Sequence, residues 1–76
     1  MGYPDDHPVN IARRKRGLTL RELAEAVSAL NELHRVSVPA LSNIERGYIP
    51  SAERRAQIAA VLNTPVDELW PPGSGV

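Results

Sequence analysis

Cysteine and phenylalanine are both missing from this 76-residue chain, and tryptophan occurs once. Without thiols there is no disulfide and no thiolate metal site, and a reducing cytoplasm is the compartment that fits. Without Phe the core has to be assembled from Leu, Ile, Val and Ala around a single Trp. That core lies near the lower size limit for independent folding, so a dimer partner is a natural source of extra burial. Net charge is missing too: nine basic residues balance nine acidic ones. The chain as a whole therefore has no general attraction to a polyanion. No apolar run reaches the roughly 18 residues needed to cross a bilayer, and the opening Met-Gly-Tyr-Pro-Asp-Asp lacks the basic-then-apolar order of a secretion signal.

What is present is unevenly placed. Arg13, Arg14, Lys15 and Arg16 form a basic cluster, whereas Asp5, Asp6, Asp67 and Glu68 sit near the two ends. A basic face on a neutral molecule follows if the fold keeps these groups apart. Catalytic groupings do not emerge. Ser28, Ser37 and Ser42 have no matching His and acid, and the scattered carboxylates suit caps and surface pairs. His7 and His34 belong to no metal-ligand spacing. No enzyme activity, metal or cofactor is expected.

The chain divides into a loose arm over residues 1–7, one helical domain over 8–70 and a tail over 71–76. Asp6 is a cap for a first helix from about Pro8 to Arg16, which Gly17 stops. Thr19-Leu-Arg-Glu22 has capping-box form, and Leu20, Leu23, Ala24, Val27, Leu30 and His34 follow at steps of three and four. With no Gly or Pro over residues 20–38, the pattern predicts a second helix to about His34. Ser37 caps a third helix near 38–46, Pro39 is tolerated in its first turn, and Gly47 ends it. Leu41 and Ile44 share its inner face, with Val38 a further candidate. Ser51 caps a fourth helix through Leu62, with Ala52, Ala56, Ile58, Ala59 and Leu62 as its apolar face and Asn63 as its C-terminal cap. A short fifth helix begins at Thr64-Pro65. Val66, Leu69 and Trp70 pack back on the bundle, with Trp70 favoured as a core plug over a dimer contact.

The ordered set Gly17-Leu-Thr-Leu-Arg-Glu-Leu-Ala24, Val36-Ser-Val-Pro-Ala-Leu-Ser-Asn-Ile-Glu-Arg-Gly47, Pro50-Ser51 and Val66-Asp-Glu-Leu69 resembles the lambda-repressor/Cro-like (XRE-type) helix-turn-helix family. The resemblance spans about residues 9–70. It implies an all-α, five-helix domain that binds double-stranded operator DNA through the N-terminal part of its third helix. On that reading Ser37, Val38, Pro39, Ala40 and Asn43 meet base edges: Asn43 suits adenine, and the apolar tip suits thymine methyls. Arg14, Arg16, Arg21, Arg46, Tyr48 and Ser51 supply phosphate contacts. The resemblance also pairs Arg13 with Glu45 as a structural tie between the first and third helices.

One departure from the family pattern stands out. Between Ala24 and Val36 the chain carries about seven residues more than the short turn of such motifs. Residues 28–35 form either an elongated second helix, about 10 Å longer, or a separately folded turn segment. Leu30 and Leu33 then need cover, from a partner subunit or from a fuller core. The function expected is that of a small repressor-like transcriptional regulator, binding as a homodimer. The alternative is a protein-interaction module on the same fold, a coregulator or antitoxin-like component, favoured by the zero net charge and by Val38-Pro39-Ala40.

Overall fold

The structure, a computed structural model, describes residues 7–72. These residues form five α-helices and one 3-10 turn: α1 (Pro8–Lys15), α2 (Leu20–Leu30), the turn (Glu32–His34), α3 (Val38–Glu45), α4 (Ala52–Leu62) and α5 (Val66–Leu69), with no strand among the described residues.

The helix starts are local chemistry. Thr19 Oγ1 accepts the Glu22 N–H at 3.0 Å, and Glu22 Oε1 accepts the Thr19 N–H at 2.8 Å, the reciprocal box that opens α2. Ser37 Oγ takes the Ala40 N–H and Ser51 Oγ the Arg54 N–H, each at 3.2 Å. At α1 the cap is His7, whose Nδ1 accepts the Val9 N–H at 3.1 Å. Asp6, expected in that role, lies outside the described residues, as do the rest of the arm through residue 6 and the tail from residue 73. His7 is itself buried.

Three helices close alike. Gly17 (φ 70°), Gly47 (φ 118°) and Asn63 (φ 52°) follow α1, α3 and α4 with positive φ. The next residue's N–H then turns back to a carbonyl of the last turn: Leu18 to Arg13 at 3.1 Å, Tyr48 to Asn43 at 3.0 Å and Thr64 to Ala59 at 3.0 Å.

The second helix ends four residues earlier than its pattern predicts. Asn31 leaves the helical region (φ −154°, ψ 94°), and its side chain accepts the Leu33 N–H at 3.1 Å to start the 3-10 turn. Asn offers its backbone this local alternative to the helical ladder. No core rewards a longer helix, since Leu30 and Leu33 are 54% and 89% exposed. Past Leu30 the chain is thus a turn segment, residues 31–35, and not a helical extension.

Packing joins α2 to α3 and α4, α1 to α3 and α5, and α4 to α5. The core comprises Val9, Leu23, Ala24, Val27, Leu41, Ile44, Ile58, Ala59, Leu62, Leu69 and Trp70. Full burial of each of its Leu, Ile and Val side chains contributes roughly 1.5–3 kcal/mol. On α4 the buried stripe is Ile58, Ala59 and Leu62; Ala52 and Ala56, expected on it, are exposed because the stripe turns away from them toward the helix start. Trp70 lies in the core.

Candidate functional site

With α3 seated on α1 and α2, Leu41, Ile44 and Glu45 point inward. At about 100° per residue the opposite side is occupied by Pro39, Asn43 and then Arg46, spaced i, i+4 and i+7. All three are exposed, as is Ser37; Ala40 is half-buried and Val38 sits at the rim with 36% exposure. The first turn has little backbone left to offer. Ser37 takes two of its N–H groups, through Oγ to Ala40 and through its carbonyl to Leu41, and Pro39 has none, which leaves that of Val38.

Beside this stripe runs a groove of about 490 Å³, whose polar lining comes from Arg35, Ser37, Asn43, Tyr48, Ser51 and Arg54. No Asp or Glu lines it. Two guanidiniums, three hydroxyls and an amide make a surface suited to an anion, with Glu32 paired to Arg35 from outside the lining, on a chain whose net charge is zero. The overall charge conceals this separation.

The cations expected to meet phosphate are dispersed. Arg46 is exposed at the C-cap of α3 and Arg21 is exposed in the first turn of α2. Arg14 donates to Asn10 Oδ1 at 3.3 Å along its own helix. Arg16 is engaged elsewhere: its Nε donates to the Leu62 carbonyl at 2.8 Å, satisfying the end of α4. With Lys15 it lines a separate groove between α1 and the α4–α5 corner, which shares no residue with the groove beside α3.

Underneath, a buried polar knot fixes α3 against α1. Arg13 Nε stands 2.7 Å from Glu45 Oε2 and Nη2 3.3 Å from Oε1, the parallel geometry of a guanidinium on a carboxylate. Asn10 Nδ2 adds a third bond to Oε1 at 2.8 Å, and Arg13 Nη1 donates to the Leu18 carbonyl at 2.8 Å, tying in the turn after α1. His7 borders this knot. Burial lowers its pKa from the ordinary value of 6.5, and the negative charge of Glu45 opposes that shift in part.

The turn segment is closed at its base by a residue that sequence reasoning passed over. Fully buried Ser28 accepts the Val36 N–H at 2.9 Å and donates to the Val36 carbonyl at 3.3 Å. Residues 29–35 therefore leave and return at one point, and α3 still packs directly on α2. The outward displacement of a longer helix does not occur. Arg54 Nη2 holds the segment from α4 through the His34 carbonyl at 2.8 Å. Asn10 was detectable, standing three residues before Arg13 on one helix face. Ser28 and Arg54 had no such local signal.

Among the described residues no three His, Cys, Asp or Glu side chains gather to hold a metal, and no helix is long and apolar enough to cross a membrane. The family described as helix-turn-helix matches the chain over residues 10–69, from Asn10 in the buried knot to Leu69 in the core. No curated protein and no solved structure matches the chain.

Proposed function

The chain belongs to the lambda-repressor-like (XRE-type) helix-turn-helix family of DNA-binding regulators, and from that premise we propose that it is a sequence-specific, repressor-like regulator reading the major groove with α3. The observation that carries this reading is the exposed stripe Pro39–Asn43–Arg46 flanked by a groove with guanidiniums and no carboxylate. Asn43 is the one stripe side chain able to make paired hydrogen bonds to adenine, while Val38, Pro39 and Ala40 meet thymine methyls. Ser37 still has its hydroxyl proton to donate, because its oxygen accepts in the cap. Arg21, Arg46, Tyr48 and Ser51 take phosphates. Arg14 and Arg16 have a smaller share, since intramolecular acceptors already hold them. Two copies on a pseudo-palindrome present their α3 helices about 34 Å apart, one turn of the duplex.

Binding to duplexes from the chain's own upstream region and to scrambled duplexes, measured across a salt series, tests the reading. Arg21→Ala is expected to weaken binding to every duplex and to reduce the salt slope by about one. Asn43→Ala is expected to narrow the gap between specific and scrambled DNA, by roughly 1–3 kcal/mol if a bidentate contact is lost. The exposed Leu30 and Leu33 favour the second reading, a protein-interaction module. Failure to bind any duplex at low salt would put that reading first.

A further inference from the structure

Arg35 is absent from the residues assigned to DNA above, and its setting differs from theirs. The backbone enters it from His34, whose carbonyl Arg54 holds at 2.8 Å. It leaves through Val36, whose N–H and carbonyl are both held by Ser28 Oγ, at 2.9 and 3.3 Å. Between these anchors the backbone of Arg35 is extended (φ −68°, ψ 153°), and the side chain, 55% exposed, lines the groove beside Ser37, Asn43 and Tyr48. A guanidinium on a doubly pinned backbone has only side-chain freedom left to lose on binding a ligand.

Its one ionic partner among the described residues is Glu32, three residues earlier on the 3-10 turn, where positions i and i+3 eclipse. Glu32 is 64% exposed, so water solvates both ends of the pair and the bond contributes little that a competing anion has to replace. A phosphate presents paired oxygens to the guanidinium fork as a carboxylate does, and on DNA it comes with the surrounding phosphate field.

We propose that Arg35 is a phosphate clamp supplied by the inserted segment. On DNA its guanidinium passes from Glu32 to a backbone phosphate flanking the site of α3, and Glu32 is the competitor that holds it in the free protein. The segment that departs from the family's short turn is thus a second contact arm, held in place by Ser28 and Arg54. This rests on the reading of α3 as the DNA-facing helix.

The test is fluorescence anisotropy of a labelled duplex from the upstream region, over a salt series, with wild type, Arg35→Ala, Glu32→Gln and Arg21→Ala. Arg35→Ala is expected to bind roughly fivefold more weakly, with the salt slope reduced by about one. Glu32→Gln is expected to bind roughly two- to fivefold more tightly, a gain that no folding defect produces. If Arg21→Ala weakens binding while Arg35→Ala and Glu32→Gln behave as wild type, the clamp is wrong and the DNA reading stands. Weaker binding by Arg35→Ala with an unchanged slope, and no gain in Glu32→Gln, would assign Arg35 to loop packing and overturn the clamp. A wild type that binds no duplex at low salt removes the DNA reading, and the clamp with it.

Discussion

Replacing Arg13 by Ala strips Glu45 of its guanidinium while leaving the carboxylate where water hardly reaches it. The two side chains are 13% and 6% exposed. Breaking a buried pair from one side costs about 3–5 kcal/mol, chiefly for the charge left behind. Here Asn10 still donates to Glu45 at 2.8 Å, which argues for the lower end, about 3 kcal/mol. The loss of the bond from Arg13 Nη1 to the Leu18 carbonyl acts in the same direction. A domain this size has roughly 4–11 kcal/mol of stability in all. At about 4–8 °C per kcal/mol, Arg13→Ala should lower Tm by roughly 12–24 °C in a far-UV circular dichroism melt. The double variant Arg13→Met/Glu45→Leu removes both charges and fills the space, so it should melt above either single variant. It should not regain wild-type Tm, because Asn10 then loses its acceptor. A drop below about 4 °C for Arg13→Ala, or a double variant less stable than both singles, would refute this account of the knot.

Ser28→Ala removes a fully buried hydroxyl and leaves the half-buried Val36 N–H without its acceptor, an expected cost of about 1–2 kcal/mol, with faster amide hydrogen exchange at Val36 as its specific sign. Unchanged exchange at Val36 would mean that the segment is closed by something other than this hydroxyl. His7 caps α1 only while Nδ1 is unprotonated, and its folded pKa is lowered, so between that value and 6.5 the unfolded chain binds more protons than the folded one. The stability from this group is therefore complete above 6.5 and declines as pH falls below it. Melts at pH 5 and pH 7.5 are expected to differ less in His7→Asn, which keeps a capping acceptor without an imidazole. An equal difference in the two proteins would exclude His7 as its source.

Three helix starts and three stops were legible because each is settled within a few residues. Thr19 meets Glu22, Ser37 meets Ala40, Ser51 meets Arg54, and Gly17, Gly47 and Asn63 accept a backbone turn that other residues resist. The stripe on α3 follows from the same short-range geometry. The length of α2 was misjudged for a related reason. Steps of three and four run on through Leu30 to His34 whether or not a core lies opposite, and the pattern does not register that Leu30 faces water.

The remaining features depend on partners remote in the chain. Arg16 was grouped with the other basic residues of α1, but its acceptor is the carbonyl of Leu62, 46 positions away. Arg54 meets the His34 carbonyl across 20 positions, and that bond helps to bring Arg35 beside Asn43. Capping, periodicity and turn chemistry are free energies of neighbouring residues, and by themselves they determined an all-helical chain with a recognisable third helix. Which cations remain available, and where the inserted residues lie, was decided only when the packed core brought distant carbonyls and carboxylates within hydrogen-bond reach, because a guanidinium binds the acceptor that folding places beside it.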